Sequence, residues 1–509
     1  MPVKNNYYVS SFFWATLSKI LTAVVGFVSV PLLLKVYGKA EYGVLAIATA
    51  CNGYMQLLDL GMNVGTVKFF SQWNAEGKKK LVYRVARTNI TFYGLVAFVN
   101  ILGLTGLALW GESLFSITHD QYLLLRTCLI IIALFSFFSW GATTFNQLLI
   151  ADKQLSFTMQ MQCVVAVLKG LLVGIVFIFN LSLTTYFFYL TAIITLLTIP
   201  YIIKCQKEHL IDSLRPATYW SDFKVVMTFS LSLFVLSLFQ ATATQSRPIL
   251  LSMFAADGAS AVTDYRIIET APLLIIMVSG TFSSMFLPKT SEMVAQNDQI
   301  AIKNFAYKWT TFTTVIVNCL CFPVILCAQD ILSAYVGTSY SHLAIWLIIW
   351  TVTVTVQMHT TPGNALVLAY GKTKLLVQVT SVACVCSMVL NIILCRHLGV
   401  GSAIIAYFLY VCTIIGLYYL VFYKKLLHLS RLRLFLCFIK PTILGTTLCV
   451  LTSWIKISIS IFSNINERIA YLLICCIKSL IWLLPYILLL AIFKIIDFKT
   501  LKNNYGNMP

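Results

Sequence analysis

Seven charged side chains sit inside otherwise apolar stretches of this 509-residue chain: Lys19, Asp59, Lys169, Arg247, Arg266, Glu269 and Lys478. A charge at the centre of a hydrocarbon layer costs roughly 2.5–3.5 kcal/mol even on permissive insertion scales, so such residues pair with one another or serve a ligand pathway. Arg266 and Glu269 stand at i and i+3 and are placed to pair along one helix face. Lys478 reads as a structural charge. Counted at 1.5 Å per residue, Lys19 and Asp59 come to depths of roughly 14 and 12 Å, so the two share a layer and can neutralise each other. Lys169 falls near mid-membrane and Arg247 towards the outer side. The cations Lys19, Lys169, Arg247 and Arg266 outnumber the carboxylates Asp59 and Glu269. A cavity so lined, in a low-dielectric wall, attracts an anion, phosphate being the obvious candidate. Asp59, released from Lys19 when the anion arrives, is the candidate to bind a coupling H+ or Na+.

Polar residues accompany these charges at helical spacing. Asn52, Gln56, Asp59 and Asn63 form one stripe, and Ser237, Gln240, Thr244 and Arg247 another. Thr16, Lys19, Ala23, Gly26 and Ser29 make a third face, small and polar. Lipid satisfies none of these groups, so each stripe faces other helices or water. Between Gln357 and Asn364, Pro362 and Gly363 interrupt an apolar run, as a hinge whose freed backbone groups line a cavity or as a plain kink.

Other chemistries fail on spacing. The six His are scattered without an HExxH pair. Gly371-Lys372-Thr373 looks like the end of a phosphate-binding loop, but the required earlier glycine is Leu366. No nucleotide-binding domain is present, which excludes ATP-driven transport by this chain alone. An ion gradient, the membrane potential or downhill flow remain as driving forces. The 15 Cys lie mostly inside apolar runs with no CxxC pair and read as small buried hydrophobes, not as a metal or disulfide framework. The expectation is a non-enzyme without cofactor or metal.

The elements that position these residues follow from composition. The chain is 59% hydrophobic and 10% charged, against about 25% charged in soluble domains. Apolar runs of spanning length recur from end to end, as in an all-α polytopic membrane protein. Fourteen helices are expected at roughly 10–35, 43–67, 90–110, 125–147, 158–179, 185–203, 225–254, 265–288, 308–328, 343–368, 375–396, 402–422, 435–458 and 469–494. With the N-terminus inside, the inner loops hold 25 Lys and Arg, including Lys4, Lys372, Lys494, Lys499 and Lys502; the outer loops, with Lys456, hold 6. That asymmetry places both termini in the cytoplasm and accounts for the net charge of +19 without nucleic acid. Pro31 and Pro248, Ala151-Asp152-Lys153 and Tyr370-Gly371-Lys372, and the basic loops opening at Lys68 and Lys289 recur at nearly one offset. The repeat is parallel, because six spans restore the orientation. It divides the chain into lobes at 1–210 and 211–425, around a central cationic cavity, with two further helices over 426–509.

Several short segments, in order, resemble one family. They are Val36-Tyr37-Gly38-Lys39-Ala40-Glu41-Tyr42-Gly43-Val44, Asp59-Leu60-Gly61 with Val67-Lys68-Phe69, and Ser246-Arg247-Pro248 with Asp264-Tyr265-Arg266. Gly337-Thr338-Ser339-Tyr340, Leu390-Asn391 and Gly399-Val400-Gly401 continue the series. Over roughly residues 1–425 the chain resembles the O-antigen flippases of the polysaccharide branch of the multidrug/oligosaccharidyl-lipid/polysaccharide (MOP) exporter superfamily. The resemblance implies two six-helix lobes and alternating access in a bacterial inner membrane. It implies an undecaprenyl-pyrophosphate-linked oligosaccharide as substrate, turned from inner to outer leaflet. A polysaccharide polymerase and a chain-length regulator are the implied partners, besides membrane lipid. The rival reading is a cation-coupled multidrug exporter of the same superfamily, which should favour acidic cavity residues and usually lacks the last two helices.

Overall fold

A computed structural model of the chain describes residues 6–371, 374–455, 457, 465–493 and 495. Lys4, Lys372, Thr373, Lys456, Lys494, Lys499, Lys502 and the side chain of Ser237 lie outside what is described. The described residues form helices and no strand. A helix satisfies its own backbone groups, which hydrocarbon cannot do. Eleven segments are long and apolar enough to cross a membrane, against the fourteen spans read from the sequence. One of them, Phe13–Asp59, takes in most of the first two expected spans, and Gly38 (φ 71°, ψ 178°) breaks the helix between them. The expected spans at 225–254 and 265–288 are helical but stand outside the eleven.

Two compact units divide the chain. The first runs to Thr263 and takes in Cys395–Gly399. It contains α1 (Asn6–Met55), α2 (Met62–Ala75), α3 (Lys79–Trp110), α4 (His119–Ala151), α5 (Leu155–Phe179), α6 (Leu183–Thr195), α7 (Thr198–Lys207) and α8 (Trp220–Phe254). Its core gathers Met62, Phe70, Tyr93, Trp140, Phe145 and Phe223. The unit boundary falls after α8, within the next helix. Inside the first unit α2 packs closely on α8. A side chain at Gly65 would collide with the Ser230 hydroxyl, and a Cβ at Gly61 would lie 2.9 Å from the Ser230 carbonyl oxygen.

α9 (Gly258–Ala295) crosses the boundary. The second unit continues with α10 (Gln299–Leu326), α11 (Ala328–Tyr335), α12 (Ala344–Met358), α13 (Thr361–Ala369), α14 (Lys374–Leu398), α15 (Val400–Leu417), α16 (Arg431–Ser453) and α17 (Glu467–Ile492). Side chains cap the starts of three of these helices: Asp298 accepts from the amides of Ile300 and Ala301, Ser430 from Arg433, and Asn466 from Arg468.

The last two helices dock on α10 through an aromatic stack. Phe322 lies 5.2 Å from Trp482, and Trp482 lies 4.6 Å from Tyr486. Every polar tip of the stack is answered. Trp482 Nε1 donates to the Gly445 carbonyl at 3.0 Å, the Tyr486 hydroxyl donates to the Pro441 carbonyl at 3.2 Å, and Asn318 Nδ2 donates to the Tyr486 oxygen at 3.1 Å. A Cβ at Gly445 would stand 2.6 Å from the Phe322 ring, so only glycine lets α16 come this close. Gly445→Val should therefore destabilise the unit by about 1–3 kcal/mol through overpacking. Thermal unfolding in detergent is the check, and an unchanged midpoint would show that α16 does not need this approach.

Candidate functional site

The polar stripe at the end of the second apolar run is broken in two. The helix tightens into a 3-10 turn over Gln56–Asp59, and Leu60 (φ 51°) and Gly61 (φ 71°) then enter left-handed conformations. Glycine takes that conformation without steric penalty. A straight helix would have aligned Asn52, Gln56, Asp59 and Asn63 on one face; the break sends them to different places.

Asn52 and Gln56 line a small cavity inside the first unit, with Thr49, Asn100, Ser136 and Thr191 among its other polar residues. Its volume is about 50 Å³, room for a few waters. Asn100 Nδ2 donates to Ser136 Oγ at 3.0 Å on the cavity wall. Asp59 is not among the lining residues and turns towards α3 instead. The Tyr93 hydroxyl donates to Asp59 Oδ1 at 2.6 Å, and the Asn63 amide at the start of α2 donates to Oδ2 at 3.2 Å. Behind Tyr93 the chain of bonds continues. Gln147 Nε2 donates to the Tyr93 oxygen at 2.7 Å, and Asn89 Nδ2 donates to Gln147 Oε1 at 2.7 Å. Asn89, Gln147 and Tyr93 are wholly buried, and Tyr93 stacks on Trp140 at 5.9 Å. The expected pairing of Asp59 with Lys19 is thus replaced by pairing with a phenol. The sequence reading missed Asn89, Tyr93 and Gln147 because it ranked residues by charge; amides in apolar runs were the available signal.

The cations take separate positions. Lys19 is exposed on the first half of α1. Lys169 is half-buried on α5, which packs along α1; a Cβ at its neighbour Gly170 would meet the Val25 side chain at 3.3 Å. Among the described residues neither lysine is in an ion pair. Arg247 is buried on α8, and its Nε donates to the Ala243 carbonyl one turn back at 2.9 Å. Gln240 is exposed, and its carbonyl accepts the Thr244 hydroxyl. In the second unit Arg266 and Glu269 pair at 2.7 Å, as their spacing predicts. Lys478 has a partner the sequence did not reveal, Asp330, at 2.7 Å. Near that pair the Cys327 and Cys475 sulfurs and an Asp330 oxygen lie within 4.8 Å of one another, so these two cysteines form a cluster instead of acting only as scattered hydrophobes. Lys478 already occupies the carboxylate there.

The helix breaks at His359–Thr360, between α12 and α13 and just ahead of Pro362 and Gly363. Pro362 sits in the first turn of α13, where a missing N–H costs nothing. Gly363 admits a tyrosine: a Cβ there would lie 2.7 Å from the Tyr423 ring. The Tyr418 hydroxyl donates to Asn364 Oδ1 at 2.8 Å, and the Tyr407 hydroxyl to Gln357 Oε1 at 2.6 Å. His359 stacks on Phe438 at 4.2 Å, and its Nε2 meets the Tyr419 hydroxyl at 3.1 Å. Tyrosines from the π-helical turn Tyr418–Leu426 and from α15 therefore close around the break.

The phenol–carboxylate bond can be tested by removing one oxygen. Tyr93→Phe keeps the stacking on Trp140 but leaves Asp59 Oδ1 without its donor and Gln147 Nε2 without its acceptor. A loss of about 1.5–3 kcal/mol is expected, the range for a hydrogen bond to a charged group. Equal melting of the variant and the parent protein in detergent would count against a charged, hydrogen-bonded Asp59.

A family described as polysaccharide biosynthesis protein matches residues 8–294. No curated protein matches the chain in sequence. Among solved structures, the lipid II flippase MurJ in an inward closed conformation superposes with a TM-score of 0.70 at 12% identity, over 94% of this chain and 98% of that one. An inward-facing multidrug resistance transporter of the MATE family, in the MOP superfamily, gives 0.67 at 13% identity, over 79% of this chain and 96% of that one. A MATE protein in complex with MaD3S gives 0.54 at 14%, over 80% and 93%. At such identities the likeness is one of fold. Because the family match runs through more than half of its length, the chain belongs to the polysaccharide biosynthesis protein family, with the fold of the MOP superfamily transporters.

Proposed function

We propose that this protein is a flippase for a lipid-linked oligosaccharide. Its substrate is an O-antigen or polysaccharide repeat unit on undecaprenyl pyrophosphate, moved from the inner to the outer leaflet of the bacterial cytoplasmic membrane by alternating access. The observation that carries this reading is the pair of lysines on the adjoining helices α1 and α5. Lys19 and Lys169 stand in apolar helices with no carboxylate bonded to either among the described residues. A pyrophosphate supplies the missing negative charge, and Arg247 on α8 of the same unit is a further candidate cation, whereas the charge of Arg266 is already met by Glu269. A multidrug exporter of cationic drugs would want the opposite balance. The fold likeness also runs further along the chain for the lipid II flippase than for the MATE transporters. A polymerase and a chain-length regulator would receive the product.

In this reading Asp59, held by Tyr93 and Asn63, is the site where a proton or sodium ion couples to the cycle, with Asn52 and Gln56 hydrating the nearby cavity. Pro362 and Gly363 act as a hinge. Both termini face the cytoplasm, as the bias in Lys and Arg requires. Reporter fusions at Lys80, Arg215 and Lys425 should then report cytoplasm, and fusions at His119 and Asp257 periplasm. Swapped compartments at two of these sites would end this orientation.

Lys19→Ala or Lys169→Ala should abolish surface glycan at normal protein level, while Lys→Arg at either site retains most of it because the charge is kept. Normal glycan in both Ala variants would refute the phosphate-binding role. Asp59→Asn should still bind the lipid-linked sugar but lose its response to an imposed ion gradient in vesicles. An unaltered gradient response would remove Asp59 from the coupling.

A further inference from the structure

We propose that a groove in the second unit holds an anionic phospholipid of the membrane. The groove has a volume of about 680 Å³ and lies among α10, α16 and the residues just past α17. One stripe of α16 lines it: Arg433, Cys437, Lys440, Leu444 and Thr447 recur one or two turns apart. Ile443 beside the stripe is 54% exposed, so the groove opens sideways, where acyl chains lie. No carboxylate lines it, and among the described residues neither Arg433 nor Lys440 is in an ion pair.

The charges are arranged for a headgroup at one end. Arg433 stands in the first turn of α16, at the positive end of the helix dipole. Its guanidinium lies over the Tyr307 ring of α10, 4.5 Å from the centroid, which holds it in place. Lys440 is about 10 Å further along the axis, and a lysine stem is long enough to return its ammonium towards the interface. Phe493 and Ile495, beyond the end of α17, close the groove at this same end. A phosphate fits between the two cations, and an acyl chain follows the wall of Leu436, Ile443 and Leu444. A polyprenyl carrier has the same two chemistries, but phospholipid is far more abundant in any bilayer, and mass action fills an open groove with the abundant ligand. This inference does not depend on the flippase reading.

The test is native mass spectrometry of the full chain purified in mild detergent, with the released lipids identified by their headgroups. Wild type should retain an anionic phospholipid. The double variant Arg433→Ala/Lys440→Ala should lose about thirtyfold in retention, since each such charge is worth about fivefold at an anionic surface. Arg468→Ala, at the opposite end of α17, should retain it. Ile443→Trp fills the groove without removing a charge, and its outward position spares the fold; it should also lose the lipid. Equal retention in the double variant and in Ile443→Trp would overturn the proposal, as would polyprenyl phosphate in place of phospholipid.

Discussion

The bond from the Tyr93 hydroxyl to the Asp59 carboxylate holds the point where the second apolar run stops being a helix. Inside hydrocarbon a helix break is costly, because freed backbone groups find no water. Here the break is answered from both sides. Asp59 takes the first free amides' part of the work by accepting from Asn63, and Tyr93 pins the carboxylate to α3. Gln147 and Asn89 then satisfy Tyr93 in turn, so α3 and α4 are tied to the break through buried polar contacts. With the turn held, α2 leaves at an angle that lets Gly61 and Gly65 pack on α8.

The second unit answers the same constraint with different residues. Its break between α12 and α13 is closed by aromatic rings, not by a carboxylate. Tyrosines suit this task, since each brings a hydroxyl for the freed polar groups and a ring for the apolar surroundings.

Among the described residues, two ion pairs lie inside the second unit. Arg266–Glu269 and Lys478–Asp330 neutralise themselves inside the second unit. Lys478 ties α17 to α11, and the Phe322–Trp482–Tyr486 stack ties it to α10, so the last two helices are integral to that unit. Lys19 and Lys169 have no such ion pair among the described residues. Arg247 donates to a carbonyl of its own helix.

The sequence by itself determined whatever depends on neighbours a few residues apart. Composition and run length made this a helical membrane protein, helical periodicity placed the spans, and i, i+3 spacing placed Arg266 beside Glu269. Pro362 and Gly363 follow directly on a break at His359–Thr360, because backbone chemistry acts locally. Tertiary structure decided which faces meet. Asp59 and Tyr93 lie on different helices, as do Asp330 and Lys478, and no periodicity within one helix names a partner on another. The docking of α8 on α2 and of α16 on α10 rests on glycines that admit close approach, at Gly61, Gly65 and Gly445. A glycine in a sequence announces that something comes near; only the folded chain says what.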